Sequence, residues 1–471
     1  MSIKGEQFPI LEKLIIFSLE LNIISNLFFT REKKIDKMAE FEQKMLKEAI
    51  STEFDYFQSE VIQAAVLNEF DGDYSPISAL QDGTPIEFNI KGTDRQYLDL
   101  NKSRVEIKGK LLLADGNNLP LDAAVGVANN FLHSLFASVE TEIQGVQVGD
   151  NNSLYPYRAV IETLLSTNQL IGKTRLKTIG WDRDTDEHEV DFRREAAGVN
   201  TGFKSRSTAF DESHQVTLIG RLHSDMFHQP LDIPSNLDLK IRLLPNRAAF
   251  YIKKPAANNV NYKFSITKAR LLIRTKEINP SVIIAHETTL QKHNFRIPFT
   301  KVSLKRLTIP AGVTNIEYDN VFTGVMPKRV IVSMVRDINM HGDSNTNPFF
   351  FQNFDLRFIS IKVNGQDIPR IPYQPNFTNG DYLREYFLFL EGLGLDLGTK
   401  SIDITPEQWS RNCNFYVFRF MPSGIPSLPS IGSARIELKF GTPTPNNINL
   451  LFYSESNALM EIDRYRNIIL S

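Results

Sequence analysis

Apolar positions change their period within one short stretch of the chain. Residues 139–143 alternate apolar or β-branched side chains with glutamates, which is the period of a half-buried strand. After Gln144-Gly145 the alternation resumes at 146–148, so a β-hairpin with a two-residue turn is predicted. At 157–165 apolar residues recur at spacings of three and four, which indicates one face of a helix. Pro156 suits the first turn of that helix.

Two-residue alternation and short apolar runs continue along most of the chain from residue 86 onward. Asn364-Gly365 is its strongest two-residue hairpin signal. In contrast, 175–213 has little periodicity and predicts a long surface loop, and the Pro/Ser/Gly stretch 421–432 predicts another loop. Further strands are predicted at 86–90, 105–113, 216–222, 237–243, 262–273, 295–299, 329–335, 356–363, 415–420, 436–440 and 448–453.

The two halves of the chain share one plan. Each has a hairpin on a turn glycine (Gly145 and Gly365), a polar link, a Tyr and Pro pair, and an apolar helical run. This weak repeat and about eight strands per half favour an all-β protein of two tandem jelly-roll β-sandwich domains, with a few short helices between strands. We expect an N-terminal extension or arm at 1–53, a first jelly roll at 54–278 and a second at 279–471.

The N-terminal region has two features of its own. Residues 10–29 are apolar-rich, but three charged residues interrupt them, so neither a membrane span nor a signal peptide is predicted. Residues 38–50 predict an amphipathic helix, either a strut on its own barrel or an arm that grips a neighbouring subunit. Met38 rather than Met1 is a hypothetical working start, with 1–37 as a gene-model extension. A native peptide spanning 34–37 in mass spectrometry would contradict that hypothesis.

Charge and cysteine content narrow the class of protein. The 471 residues carry a formal net charge of −2, which argues against a surface built wholly for DNA or RNA. The single cysteine, Cys413, permits no intramolecular disulfide and is expected to be a buried small hydrophobe. Together with the missing signal peptide, this indicates assembly in a reducing compartment.

Two glycine motifs resemble nucleotide-binding loops without fitting them. Gly172-Lys173-Thr174 matches the end of a P-loop, but that motif needs a glycine at position 167, which is Thr167. The glycines at 392, 394 and 398 are spaced one residue too long for a dinucleotide fingerprint, and they follow a predicted helix. Neither motif predicts a cofactor site.

The acidic run at Asp182, Asp184 and Asp186 matches positions 1, 3 and 5 of a calcium loop. Glu187 stands where the loop needs glycine, and Arg193 stands where it needs a bidentate glutamate. A solvated charged loop is therefore the favoured interpretation, with weak adventitious calcium binding left open.

The histidines also fail to predict a metal centre. His223, Asp225 and His228, with His214 nearby, contain a His-x4-His pair, which is not the i, i+4 spacing of a zinc helix. His133 is expected to be a hydrogen-bonded core residue. Because no GxSxG nucleophile elbow occurs either, no catalytic, cofactor-binding or metal-binding residue is assigned.

A series of segments in a fixed order resembles the major capsid protein of Maverick/Polinton elements and the related adintoviruses. They are SALQDGTPIEFNI (78–90), YLDL (97–100), NNFLHSLF (129–136), YPYRAVIETLLS (155–166), GRLHSDMFHQP (220–230) and LDLKIRLLPNRAAFYI (237–252). The resemblance is dense over 54–252 and thinner beyond. It implies a double jelly roll that assembles as a pseudo-hexameric homotrimer, and it transfers no catalytic or ligand role.

A viral structural protein is therefore the favoured function: a non-enzymatic capsid subunit that assembles inside the host cell into the virion. Its expected partners are itself and a penton-type minor capsid protein, with no specific nucleic-acid site and no cofactor. One alternative is a β-sandwich carbohydrate-binding or adhesion module, which predicts an exposed aromatic platform and secretion. Another is a cupin-like enzyme, which requires convergent histidines and carboxylates inside a barrel.

Overall fold

Strands from the first half of the chain build two antiparallel sheets of four strands in the computed structural model, which describes residues 63–121, 123–185, 200–397, 400–421 and 431–471. The first sheet has the order β1 (Val66–Tyr74), β10 (Tyr262–Ile278), β3 (Gln96–Leu113) and β7 (Val216–Gly220). The second has the order β2 (Ile86–Ile90), β8 (Leu239–Pro245), β5 (Phe136–Ile143) and β6 (Val146–Gln147). A two-stranded ribbon joins β4 (Gly126–Val127) to β9 (Ile252–Lys253).

The second half builds two further antiparallel sheets. One has the order β11 (Phe295–Ile309), β18 (Ile448–Ile462), β13 (Arg329–Arg336) and β16 (Phe415–Arg419), and β19 (Ile468–Leu470) also pairs with β18. The other has the order β12 (Asn315–Val325), β17 (Ile431–Phe440), β14 (Leu356–Val363) and β15 (Gln366–Tyr373).

The same strand order occurs twice. Apart from β4, β9 and β19, each half of the described chain contributes eight strands. In each half the first strand pairs with the last, the last with the third, and the third with the sixth. The second strand pairs with the seventh, the seventh with the fourth, and the fourth with the fifth. This is the double-sheet arrangement of a jelly roll, so the predicted all-β double jelly roll is confirmed.

Alternating burial explains why these segments form strands. In β8, Leu239, Ile241 and Leu243 are buried, whereas the intervening Lys240 and Arg242 reach the surface. Each buried aliphatic side chain of this kind contributes about 1.5–3 kcal/mol by leaving water. In the central strand β18 the whole run from Ile448 to Tyr453 is buried, so both of its faces are covered.

Both predicted hairpin turns are confirmed. Gln144 and Gly145 have φ values of 51° and 75°, and Asn364 and Gly365 have φ values of 50° and 85°. Positive φ at both central residues is the type I′ geometry that suits the twist of two-residue hairpins.

Short helices occupy the connections between strands. Helix α2 (Tyr155–Ser166) lies against β5, and helix α8 (Leu383–Leu393) lies against β16. Pro156 lies in the first turn of α2, as predicted. The α-helices are α1 (Phe131–Ser134), α2 (Tyr155–Ser166), α3 (Gln169–Lys173), α4 (Thr201–Thr208), α5 (Ala248–Tyr251), α6 (Pro280–Leu290), α7 (Asp337–His341), α8 (Leu383–Leu393) and α9 (Pro406–Arg411), and 3₁₀ turns occur at Arg175–Ile179, Asp211–Ser213 and Asp225–Phe227.

The prediction of a long surface loop at 175–213 is wrong for the residues described there. A 3₁₀ turn and α4 lie in this stretch, and Leu176, Ile179, Trp181, Phe203 and Phe210 are buried. The buried side chains are spread among charged ones without a single period, so the sequence pattern did not reveal them.

Some predictions reach beyond this description. The predicted helix at 38–50, the start at Met38 and most of the 421–432 loop lie outside the described residues. No described sheet mixes strands from before Ile278 with strands from after Phe295. The boundary at 278/279 nevertheless stays a prediction.

Candidate functional site

Helix α2 belongs to the first jelly roll but also contacts the second. The Tyr157 hydroxyl donates a 3.0 Å hydrogen bond to the carbonyl of Pro348. Its ring packs edge-on against Phe349, with centroids 5.7 Å apart. Such pairs add to the free energy gained by burying the rings. One face of α2 therefore forms part of the seam, the contact region between the two jelly rolls.

Glu162, on the next turn of α2, lies beside two histidines of the segment that follows β7. Its Oε2 lies 2.5 Å from His223 Nδ1 and 3.4 Å from His228 Nε2. The donor atoms of the three residues all lie within 4.8 Å of one another. We call Glu162, His223 and His228 the seam cluster.

The other carboxylate oxygen of Glu162 is held by different groups. Arg158 Nε donates to Glu162 Oε1 at 2.9 Å, and the Tyr453 hydroxyl on β18 donates to the same oxygen at 3.1 Å. Because Oε1 is occupied by these donors, the carboxylate is oriented with Oε2 toward the histidines.

Arg158 also binds a second carboxylate. Its Nη2 donates to Asp225 Oδ1 at 2.7 Å, and the backbone N–H of Val302 on β11 donates to the same oxygen at 3.2 Å. The Arg158 side chain is only 7% exposed. A buried cation between the partly buried Glu162 and the buried Asp225 therefore links α2, the 225–227 turn and the second jelly roll.

Burial and these charges set the protonation states. Burial disfavours the charged form of Glu162, but Arg158 and the hydrogen bond from His223 hold its pKa well below the usual range. Partial burial lowers the pKa of His228 below its usual value, although Glu162 opposes the shift. Burial likewise lowers the pKa of His133 well below its usual value, and nearby His223 adds to the effect. At neutral pH the seam therefore contains a carboxylate beside neutral His133 and His228.

The seam cluster faces a cleft of about 1240 Å³ that both jelly rolls line. Arg221 and Lys328 are among its polar lining residues. The His228 side chain is 31% exposed, so solutes can reach the cluster from this cleft. Accessible imidazole and carboxylate donors on one side of a cleft can coordinate a cation or exchange protons.

Further polar contacts cross the seam away from this cluster. Asp150 Oδ2 accepts from the Ser303 hydroxyl at 2.8 Å. Lys253 Nζ donates across the seam to the carbonyl of Asp343 at 2.8 Å, and within the first jelly roll to the carbonyl of Ala249 at 3.1 Å. Together these contacts help to hold the sheets of the first jelly roll against those of the second.

The glycine motifs serve local structure. Gly172 and Lys173 lie in α3, which follows α2 and not a strand. Gly392 lies in α8 where a Cβ would come within 2.6 Å of the Val417 side chain, so glycine permits close helix–strand contact. Gly394 ends α8 in the left-handed conformation. Gly398 is outside the described residues.

The described acidic residues of the candidate calcium loop have protein partners. Asp182 forms an ion pair with Lys177. Asp184 Oδ1 accepts from Arg206 at 2.7 Å and from Asn200 at 3.0 Å. Asp186 is outside the described residues.

The expectations for His133 and Cys413 are confirmed. His133 is buried and its Nδ1 pairs with the Tyr155 hydroxyl at 2.9 Å. Cys413 is buried just before β16.

The structure brings His223 and His228 together, but the other two candidate metal ligands, Asp225 and His214, have other partners. Asp225 pairs with Arg158, and His214 is exposed and contacts the Asp211 carbonyl. The residue that sequence reasoning missed is Glu162. An available signal was the Arg158-x3-Glu162 pair on a helix that is otherwise largely apolar.

No protein-family model matches the chain. An uncharacterized protein of Caenorhabditis elegans is 22% identical over 410 residues, which cover 83% of this chain and 94% of that protein.

Solved structures of viral capsids are similar across nearly the whole described architecture. A chain of the Sputnik virophage structure superposes with a TM-score of 0.62 at 10% sequence identity. The match covers 90% of this chain and 92% of the virophage chain. The Faustovirus major capsid protein has a TM-score of 0.53 at 8% identity, and the match covers 88% of this chain and 92% of the Faustovirus chain. A chain of the PBCV-1 virus capsid has a TM-score of 0.52 at 12% identity, covering 88% and 99%. The chain thus has the double jelly-roll fold of viral capsid proteins.

Among the described helices, none combines the length and apolar character needed to cross a membrane.

Proposed function

We propose that this chain is a major capsid protein that assembles as pseudo-hexameric homotrimers into an icosahedral shell, of the type found in Maverick/Polinton elements and adintoviruses. The observation that carries the proposal is the repetition of one eight-strand order in a single unit from Ala64 to Ser471. Both jelly rolls are needed to account for a similarity to capsid structures that covers 88–90% of the chain.

The duplication gives a physical reason for hexagonal packing. Three copies of a two-barrel subunit around a threefold axis place six similar barrels in a ring. A rigid seam favours such a ring, because two barrels that moved independently would not keep the same distance from each other in every subunit. The buried contacts of α2 with the second jelly roll supply that rigidity.

The sheet edges favour assembly through side chains and loops. Strand β15 lies at an edge and contains Pro369 and Pro372, and edge strand β11 contains Pro298. Edge strand β1 carries Glu69, Asp71 and Asp73, of which Asp71 pairs with Arg104 at 2.5 Å. Prolines and charges at edges disfavour strand addition by a neighbour, so subunits can meet without extending each other's sheets.

The remaining parts of the proposal follow from this role. The partners are further copies of the chain and a penton-type minor capsid protein, and the destination is the virion, assembled inside the host cell. We assign the chain no enzymatic activity and no specific nucleic-acid site. The proposed division is an N-terminal arm at 1–53, a first jelly roll at 54–278 and a second at 279–471.

The carbohydrate-binding alternative has less support. It requires an exposed aromatic platform, and tryptophan is the side chain most suited to stacking on sugars. Both tryptophans of the chain, Trp181 and Trp409, are buried in the structure.

Light scattering followed by negative-stain microscopy tests the proposal, using the full chain and a version that starts at Met38. We expect a species of three chain masses with a hexagonal outline, or closed shells. A species that stays monomeric at high concentration and moderate salt, alone and with a co-expressed penton-type protein, would contradict the capsid proposal.

A further inference from the structure

The seam cluster has the donor atoms of a metal site. It contains two imidazoles and one carboxylate, the ligand types that zinc takes from proteins. A tetrahedral zinc site with bonds of about 2.0–2.1 Å separates its ligands by about 3.3 Å. The distance from Glu162 Oε2 to His228 Nε2 is 3.4 Å. The distance from Glu162 Oε2 to His223 Nδ1 is 2.5 Å, so this hydrogen-bonded pair must open to admit an ion.

The side chains around the seam cluster orient the Glu162 carboxylate, and the cleft leaves space for a water molecule. Arg158 and Tyr453 hold Glu162 Oε1, which is the kind of outer contact that orients a metal-binding carboxylate. The cleft beside the histidines provides an entry path and room for a water ligand. Three protein ligands plus an open position is a common arrangement for zinc.

We propose that Glu162, His223 and His228 bind a zinc ion at the seam between the two jelly rolls, with water from the cleft in the fourth position. His223 contributes Nδ1, His228 contributes Nε2, and Glu162 contributes Oε2. The ion would connect the segment after β7 directly to α2. This inference does not depend on the proposed capsid function.

Arg221 is the residue that opposes the ion. Its Nη2 lies 3.2 Å from His228 Nδ1, while its Nη1 donates to Asn101 Oδ1 at 2.6 Å. A His228 that binds metal through Nε2 carries its proton on Nδ1, which then faces the Arg221 guanidinium. Arg221 must therefore turn away when zinc binds. The variant Arg221→Gln removes a positive charge that repels the ion and offers an oxygen to that proton, so it should bind zinc about 10-fold more tightly.

Zinc itself is the probe for the test. The full chain without a histidine tag is treated with a chelator, dialysed against zinc, and assayed for bound metal and for affinity by chelator competition. We expect one zinc per chain in the wild type, and affinity lowered about 10–100-fold in His228→Ala. The matched control His214→Ala removes an exposed histidine outside the cluster and should bind zinc as the wild type does.

Cobalt provides a second readout that distinguishes the site from misfolding. Co²⁺ in the wild type should give the visible absorption of a four-coordinate site, and His223→Ala should lose it while keeping the near-ultraviolet circular dichroism of the folded chain. Wild-type protein that retains no zinc, or His228→Ala protein that retains zinc with wild-type affinity, would overturn the assignment.

Discussion

The Tyr453 hydroxyl donates a 3.1 Å hydrogen bond to Glu162 Oε1 and thereby joins β18 of the second jelly roll to α2 of the first. The tyrosine is buried, and Arg158 donates to the same oxygen at 2.9 Å. This contact couples packing between the jelly rolls to the orientation of the seam cluster. Its loss should therefore be measurable both in stability and in the geometry around Glu162.

Tyr453→Phe tests this contact because it removes the hydroxyl and little else. A hydrogen bond to a charged acceptor contributes about 1.5–3 kcal/mol, and we expect a loss near the lower value since Arg158 still binds Glu162. Urea unfolding followed by circular dichroism measures the change. Tyr465→Phe is the matched control, because Tyr465 is 69% exposed, and it should leave the unfolding midpoint unchanged. Equal midpoints for both variants would contradict a structural role for the Tyr453 hydroxyl.

Arg158→Met should be much more damaging than removal of a surface arginine. It leaves Glu162 and Asp225 without their buried cation, and breaking such a pair costs about 3–5 kcal/mol. Arg242 pairs with Glu87 and Glu140 but is 33% exposed, so Arg242→Met should cost about 0–1 kcal/mol.

Denaturant titration of both arginine variants measures this difference. The double variant Arg158→Met with Asp225→Asn should recover part of the loss, because it removes one uncompensated carboxylate. A double variant that is as unstable as the sum of its two single changes would show that the charges act independently.

The strands that the sequence predicted are those with at least one face in the core. Strand β8 alternates buried and surface residues and was found, whereas β1 and β12 were not. Both missed strands lie at sheet edges and are largely exposed, so no apolar period marks them. Their pairing is set by backbone hydrogen bonds to a neighbour that is distant in sequence.

The seam cluster could be predicted only in part. His223 and His228 attracted attention because they are close in sequence, but Glu162 comes from α2 and reaches them through the tertiary fold. Spacing rules for zinc helices do not apply, since the histidines follow a strand and flank a 3₁₀ turn. One sequence without the fold gives no means of joining these segments.

The buried Lys253 should make the free energy of unfolding depend on pH. Burial lowers its pKa to about 7, with Asp343 opposing the shift, whereas an unfolded lysine has a pKa near 10.4. Between about pH 7 and pH 10 the unfolded chain therefore binds more protons than the folded chain at this site. The site should make stability rise with pH in that window by up to about 1.4 kcal/mol per pH unit.

Lys253→Met tests that slope. The difference in unfolding free energy between wild type and variant should change across pH 7–10, with the wild type gaining as pH rises. Lys301→Met, at an exposed position, is the control and should show a constant difference. A constant difference for Lys253→Met as well would mean that the buried amine does not lose its proton on folding in this range.

Substitution of either turn glycine should change stability through backbone conformation alone. Gly145 and Gly365 have positive φ, and a Cβ added at either would meet no atom within 4 Å. Alanine at either site should cost about 1–2 kcal/mol, the penalty for an L-residue in the left-handed region. Asparagine tolerates that region better and should cost less. Thermal unfolding of the four single variants checks the order, and asparagine variants no more stable than the alanine variants would contradict this explanation.

An apolar patch on the second jelly roll offers a test of the proposed trimer. Leu383 and Phe387 are one helical turn apart on α8, and both are exposed, as is Ile371 on β15. Arg384 Nη2 donates to the Ile371 carbonyl at 3.3 Å, which places the strand beside the helix. Exposed apolar patches of this kind are characteristic of interaction surfaces. If the patch contacts a second copy, charging it should weaken association without unfolding the subunit.

Leu383→Glu combined with Phe387→Glu should therefore shift the trimer toward monomer at concentrations where the wild type is trimeric, by at least about 10-fold in the concentration required. Analytical ultracentrifugation measures the shift. Leu170→Glu on α3 alters another exposed leucine and should leave the trimer intact. A trimer that survives the double change would place the subunit contact elsewhere on the molecule, whereas loss of the trimer in Leu170→Glu as well would show a general effect of added charge.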